Sequence, residues 1–487
     1  MVWWLTRWLR RAVLLLAVVF ATLLAGRAID TQRGPPLQPW HTHVPKELDR
    51  TELERTDWAG YLAAEQAAFD GVRREVTDRL PPEARVPANR YFAGSPIHPA
   101  AFAHDWNRSF ALEPDGPPKG VVVLLHGLTD APYSLRHVAR LYRAHGYLAL
   151  GIRLPAHGTV PAALTEVEWE DWLAATRLAV REARRRVAAP APLHIVGYSN
   201  GGALALKYAL DAIEDGQLAR PDRLVLISPM IGVTAFARFA GLAGLPAIFP
   251  AFAKAAWLDS LPEFNPFKYN SFPVNAARQS SRLTGALQGQ IADFAGRGLL
   301  GRLPPTLTFQ SVLDSTVSAS AVVTAFYGRL PDNGSELVLF DLNRGTKLGP
   351  LIQPSAEAML GRMLPPPPRA FRSTVINNAI TGSDEVAESV VEPGSSEERS
   401  RPLGLVYPRS VVSLSHVALP FPLSDSLYGL EPDEDEFFGV HLGTVAARGE
   451  RGTLIVSIDS LLRMSSNPFF AYVLERIAEG IADGPSG

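Results

Sequence analysis

Cysteine is absent from all 487 residues, which removes disulfides, thiol catalysis and thiolate metal sites together and leaves the redox compartment open. Excess charge is missing too. Lys and Arg number 47 against 49 Asp and Glu, a formal balance of -2. The chain therefore lacks the basic footprint of a nucleic-acid binder, and nucleic acid is not an expected partner. Metal-ligand spacings are equally scarce. His41 and His43 form the one suggestive pair, and they sit in a Pro-rich linker without a supporting carboxylate. No metal and no cofactor is expected. What is plentiful is apolar residue, 47% of the chain, ample for a substantial core in a protein long for one domain.

The pattern organising the chain is Leu193-His194-Ile195-Val196-Gly197-Tyr198-Ser199-Asn200-Gly201-Gly202, followed by a helical stretch to Leu210. An apolar run of strand length meets Gly-x-Ser-x-Gly and then a helix, the context in which a serine is exposed on a strained turn. Ser199 is the expected nucleophile. The neighbouring glycines let backbone pass close to that turn without Cβ clashes. Upstream, Gly120 to Leu125 reads as a buried strand ending in His126-Gly127-Leu128. An acyl-transfer site holds its oxyanion with one backbone N–H after the nucleophile and one from an earlier strand-end loop. Asn200 and Leu128 are the expected donors. His126 precedes the serine and is expected to shape the loop rather than act as a base.

With His126-Gly127-Leu128-Thr129-Asp130, Arg153-Leu154-Pro155-Ala156-His157-Gly158 and Gly197 to Gly201 in view, the chain resembles serine hydrolases of the α/β-hydrolase superfamily. Within it, bacterial carboxylesterase, lysophospholipase and monoacylglycerol-lipase-like members are most similar. The likeness covers about Trp106 to Pro229 well and only patches beyond. It implies an α/β fold with a mostly parallel central sheet flanked by helices, and a triad in the order Ser, acid, His. Only His416 and His441 follow Ser199. His416 follows the strand-like Ser410 to Ser415 and is the expected base, with His441 in reserve. Asp314 leaves the strand Thr306 to Leu313 in an Asp-x-x-Val turn, where resembling hydrolases carry the acid. A helix cap is its plain alternative role.

The first residues read as an address. Arg7, Arg10 and Arg11 precede the uncharged run Ala12 to Ala25, which alone spans about 21 Å as a helix, short of a bilayer core of about 30 Å. Trp3, Trp4 and Trp8 would extend it at the interface. Arg27 between Gly26 and Ala28 spoils a cleavage site, so an uncleaved anchor is favoured over a removed signal peptide. The arginine asymmetry then keeps the N-terminus in the cytoplasm and sends the rest across the inner membrane into the envelope.

The expected organisation is an anchor or signal segment at 1–30, a linker and amphipathic helix at 31–105 and the first part of the hydrolase core at 106–230. A helical cap at 231–304, core with the acid at 305–345, a partly disordered insertion at 346–409 and core with the base at 410–487 complete it. The amphipathic helix, capped by Thr56 or Asp57, carries Trp58, Leu62, Phe69, Val72, Val76 and Leu80 on one face. The cap is inferred from its aromatics, among them Phe236, Phe239, Phe249, Trp257, Phe264 and Phe267, with core helices as the alternative. Gly382 to Pro402 is acidic and Ser/Gly-rich, a composition expected to bury little. The acidic run Glu431 to Glu436 reads as a solvated loop, Gly452 to Ile458 as a further strand and Asn467 to Ala482 as a closing helix. An ester of a small molecule or lipid is the expected substrate. Thioesterase or aminopeptidase chemistry on the same residues, a membrane-tethered binding protein on a hydrolase scaffold and an envelope structural protein remain open. Oligomeric state is not readable.

Overall fold

Phe110–Leu112 (β1), Gly120–Leu125 (β2), Tyr147–Ile152 (β3), Leu193–Tyr198 (β4) and Arg223–Ile227 (β5) open the main sheet. After a small antiparallel pair, Trp257–Asp259 (β6) and Phe272–Pro273 (β7), it continues through Thr306–Ser311 (β8) and Glu336–Phe340 (β9). Arg372–Asn378 (β10), Glu385–Val391 (β11) and Glu398–Val406 (β12) complete it. The strand order is β1-β3-β2-β4-β5-β8-β9-β10-β11-β12. The strands from β3 to β10 are parallel, and β1, β11 and β12 join antiparallel. This computed structural model describes the chain except residues 1, 33, 233–243, 249, 381, 434–435, 444–462, 464 and 483–487.

Parallel strands covered on both faces read as unbroken apolar runs, and β2, β3, β4 and β8 are buried at every position. The pleat sends alternate side chains into two cores. Val121, Val123 and Leu125 share one core with Trp169–Arg186 and Asn200–Glu214, whereas Val122 and Leu124 share the other with Arg136–Ala144 and Phe470–Ala482. This doubly wound arrangement is the α/β-hydrolase fold expected from the sequence. Its order reverses between β2 and β4, and loops at the carboxyl ends of such strands diverge to leave a crevice.

Several segments depart from expectation. Gly382 to Pro402 holds β11 and most of β12, and five of the seven β11 residues are buried. Val386, Ala387, Val390 and Val391 supply the apolar side chains that composition averaging concealed. Both ends of the insertion meet at one point: Asn343 N–H donates to Val412 O at 2.9 Å and its side-chain amide to Val411 O at 2.8 Å. The detour thus extends the sheet edge and returns the chain close to where it left. The strand expected at Ser410 to Ser415 does not form, because β10 already occupies the edge beside β9.

The cap expectation divides. Val274–Gly296 is a long helix, but its Leu283, Leu287, Ile291 and Phe294 belong to the main core, which is the alternative reading. Residues 257–273 approach the crevice through Leu258, Lys268 and Phe272, and the start of the helix adds Ala277 and Ser280 to its wall. Phe236, Phe239 and Phe249, and the strand expected at Gly452 to Ile458, lie outside the described residues.

Helix Trp58–Glu75 is capped by Asp57, whose side chain accepts from Gly60 N–H at 2.8 Å. Its buried stripe is Trp58, Tyr61, Glu65, Ala68 and Val72, and Leu62 is exposed. Of the expected face, Trp58, Val72, Val76 and Leu80 are buried, and the stripe takes in a glutamate at its centre instead of Leu62: Arg153 pairs with Glu65 at 3.1 Å and with Glu47 at 2.8 Å, clamping the N-terminal extension onto the end of β3. The first helix is also longer than its uncharged run. It covers Val2–Gln32, about 46 Å at 1.5 Å per residue, and Thr6–Gln32 has a mean hydropathy of 2.3 with 6% of the window buried. By length and composition this helix is able to cross a membrane. At its far end, Arg27 donates to Trp257 O and Gln32 to Ala251 O.

Candidate active site

Ser199 follows β4 directly with φ 54° and ψ -114°, a positive-φ conformation that a residue bearing a Cβ adopts only under strain. The turn is held by its backbone, not its hydroxyl: Ser199 N–H donates to Ile227 O at 2.9 Å and Met230 N–H to Ser199 O at 2.9 Å. A Cβ on Gly197 would overlap Gly201 O, and one on Gly201 would overlap Leu125 O. Those two glycines let helix Asn200–Glu214 start directly against the ends of β2 and β4, which aims its first N–H groups at the crevice.

A cavity of about 270 Å³ lies over this turn, bounded by Leu128, Ser199, Met230, Leu258, Phe272 and His416. Asp314 leaves β8, two strands from β4, so their ends are about 10 Å apart, a gap that a third side chain must bridge. His416 Nδ1 lies 2.8 Å from Asp314 Oδ2. The other oxygen, Asp314 Oδ1, accepts from Thr316 N–H at 2.8 Å and Val317 N–H at 3.0 Å. Burial alone would raise the Asp314 pKa, but His416 and these backbone donors outweigh it and hold the carboxyl below its ordinary value. Of the sequence-predicted residues, the structure therefore pairs Asp314 with His416 and sets His416, Ser199 and Leu128 around one cavity. Asn200 begins the helix after Ser199.

His126 is a structural histidine. Its Nε2 accepts from Leu154 N–H at 2.9 Å, which leaves Nδ1–H to donate to Gly127 O at 2.9 Å. Burial and the neighbouring His157 hold its pKa well below the ordinary value, so it stays neutral and shapes the loop. His441 is outside the cavity lining and bonds Ser426 O at 2.9 Å. Among the described residues, no group of three or more His, Cys, Asp and Glu side chains has the arrangement of a metal site.

Sequence reasoning missed what holds His416. Tyr198, the variable residue before Ser199, stacks on the imidazole at 5.2 Å and donates from its hydroxyl to His416 O at 3.2 Å. The loop after His416 is pinned by Asp425, fully buried, which accepts from Arg136 at 2.7 Å, His137 at 2.9 Å and the Tyr133 hydroxyl at 2.9 Å. Glu436 adds to this pin through Arg140 at 2.8 Å, so that end of the acidic run is docked, not simply solvated. The only signal in the sequence was Arg136-His137, with nothing to indicate a partner nearly three hundred residues away. Burial by itself would raise the Asp425 pKa, and Arg136 and His137 more than offset it, holding the carboxyl well below its usual range. Asp425→Ala leaves the buried Arg136 guanidinium with only Glu436 at 3.6 Å, an effect approaching the roughly 3–5 kcal/mol of a broken buried pair, to be read as a lower denaturation midpoint. Because the folded pKa is depressed, the Asp425 contribution is present above about pH 4 and is lost as pH falls below it. The gap between wild type and variant is expected to narrow in acid.

Residues 116–341 match the Hydrolase_4 family model, described as serine aminopeptidase, S33. The thermostable monoacylglycerol lipase of Bacillus sp. (strain H-257) is 32% identical over 88 residues, which are 18% of this chain and 34% of that protein. The chain thus spans about a third of the length of this curated relative. Among solved structures, one from work on the metagenome-derived lipolytic enzymes LipS and LipT is 22% identical, covering 49% of this chain and 88% of that one at a TM-score of 0.39. A soluble variant of monoglyceride lipase from Saccharomyces cerevisiae is 13% identical, covering 47% and 81% at a TM-score of 0.38.

Proposed function

We propose, for a chain whose residues 116–341 belong to the α/β-hydrolase family of the serine aminopeptidase S33 type, that it is a serine hydrolase cleaving carboxylic esters through an acyl-enzyme. The observation that carries this reading is the 2.8 Å contact of His416 Nδ1 with Asp314 Oδ2, with His416 in the wall of the cavity that Ser199 enters. Asp314 accepts from Nδ1–H, which leaves Nε2 as the basic nitrogen. Nε2 takes the Ser199 proton as Oγ attacks the ester carbonyl. The tetrahedral oxyanion is held by the N–H groups of Leu128 and Asn200. Collapse breaks the bond to the alcohol oxygen, which leaves with the proton from His416. Water, deprotonated by the same imidazole, then attacks the acyl-serine, and the carboxylic acid departs as Ser199 regains its proton.

Acyl esters of lipid type, monoacylglycerols and lysophospholipids, are the favoured substrates. An apolar lining of Leu128, Met230, Leu258 and Phe272 suits an acyl chain, and the relative named above is a monoacylglycerol lipase. The first helix is read as an uncleaved inner-membrane anchor with the catalytic domain on the extracytoplasmic side of a bacterial envelope. Its outward apolar surface and the arginines before it support this. Fluorophosphonate labelling of the purified chain lacking residues 1–30, beside Ser199→Ala and His416→Ala, tests the chemistry. Label on the wild type alone is expected, and an unlabelled, folded wild type would favour the binding-protein reading. An ester, thioester and aminoacyl-anilide panel separates the leaving groups. Protease accessibility in intact and permeabilised cells tests the topology.

A further inference from the structure

Lys268 is not part of the ester-cleaving machinery, yet it lines the same cavity as Ser199 and His416. Its position is fixed relative to the oxyanion loop, because the next residue, Tyr269, donates its N–H to Thr129 O at 2.7 Å. The segment 257–273 that carries it is held at its other end by the β6–β7 pairing. Three observations then converge on a ligand. First, the Lys268 ammonium forms neither hydrogen bond nor ion pair with any described residue. The carboxyl that acts on it is Asp130, on the same cavity, whose Oδ2 is itself buried and without a hydrogen-bond partner. Second, another cation reaches the rim: Arg463 donates from Nη2 to Thr316 Oγ1 at 2.6 Å, and Thr316 lines the cavity. Third, the acids nearby do not neutralise both cations. Asp314 is engaged by His416, and Asp130, lifted by burial to about 6 against the pull of Lys268, supplies at neutral pH one negative charge for the two cations. Burial in turn presses Lys268 below the ordinary lysine range, with Asp130 raising it and Arg463 lowering it further. Two converging like charges in a partly apolar cavity are unfavourable until an anion joins them.

We propose that Lys268, with Arg463 at the rim, is an anion-binding subsite of the Ser199 cavity, so that the preferred ester carries a negative charge close to its scissile bond. The inference rests on the reading of Ser199 as nucleophile and narrows its substrate class. An ammonium beside the oxyanion loop orients an anionic ester by a charge-assisted hydrogen bond. It leaves a neutral ester of the same length unanchored, with the cost of an unsatisfied cation unrelieved. The anion is either a carboxylate on a short acyl chain or a phosphate on the alcohol side.

The test is a pair of matched comparisons. p-Nitrophenyl hemiglutarate against p-nitrophenyl pentanoate places the charge on the acyl side. An acylglycerol phosphate against the monoacylglycerol of the same chain places it on the alcohol side. In wild type, kcat/KM is expected to favour the charged member of at least one pair by tenfold or more, mainly through KM, with the preference falling as salt is raised. Lys268→Met should collapse that ratio toward unity, Lys268→Glu should invert it and Lys268→Arg should preserve it. Arg463→Ala should reduce it by a smaller factor. A wild type without preference in either pair would overturn the subsite. So would a Lys268→Met variant, shown folded by its fluorophosphonate labelling, that keeps the wild-type ratio. A folded wild type that hydrolyses no ester and takes no label fails the underlying reading instead, and the two failures are thereby distinct.

Discussion

Ser199→Ala is expected to lower ester kcat by about 10⁶-fold and to abolish fluorophosphonate labelling, with the melting temperature retained. The size of the effect follows from the absence of any other route: a triad without its nucleophile retains only oxyanion stabilisation and binding. The retained fold follows from how the turn is built. The contacts holding it run through Ser199 N–H and C=O to Ile227 and Met230. Alanine also carries a Cβ, so the strain at φ 54° is the same in both. Loss of activity accompanied by loss of the melting transition would mean that the hydroxyl is structural. Activity within a few-fold of wild type would place the nucleophile elsewhere and sink the mechanism.

Asp314→Asn is expected to lower kcat by about 10⁴-fold through the wrong histidine tautomer. Asp314 Oδ1 accepts two backbone N–H bonds, from Thr316 and Val317, so an asparagine must present its carbonyl oxygen there. Its NH₂ then faces His416 Nδ1, where Oδ2 now stands 2.8 Å away. A donor in that position selects the tautomer with the proton on Nε2, which no longer accepts from Ser199. The same NH₂ would also confront the Gln310 amide, a donor to Oδ2 at 3.2 Å. The variant should label with fluorophosphonate at a rate reduced in step with kcat. An unchanged rate in both assays would remove Asp314 from the acid role and leave it as the turn cap that its backbone bonds also make it.

The elements that were legible in the sequence are those built from short-range patterns. β2 reads as a strand because its unbroken Val and Leu run fits a doubly covered sheet, and β4 because a short apolar run, Leu193 to Val196, leads straight into the Gly-x-Ser-x-Gly turn. The turn at Gly197 to Gly201 was legible because its steric demand falls within five residues. Helix Trp58–Glu75 was legible with most of its buried face, Trp58, Val72, Val76 and Leu80, but the hydrophobic pattern cannot show that Glu65 is buried with Arg153 in place of Leu62. Gly382 to Pro402 was misread for a related reason. Its prolines, serines and acids dominate the composition, whereas the valines and alanine that β11 buries are spaced along one strand.

The sequence by itself determined the strands that carry the site, β2, β4 and β8, the strained serine turn and the short list of two histidines, because each depends on residues within a few positions or on a simple count. Only the tertiary structure decided that the chain leaves at Asn343 and returns at Val411, which brings His416 to Asp314 across the residues between them. It also decided that Asp425 reaches Arg136 and that Lys268 shares a cavity with Ser199. Such contacts hinge on charge and on hydrogen bonds between distant segments. Their partners leave no periodicity in the chain, and burial, which makes each pairing obligatory, exists only once the fold has formed.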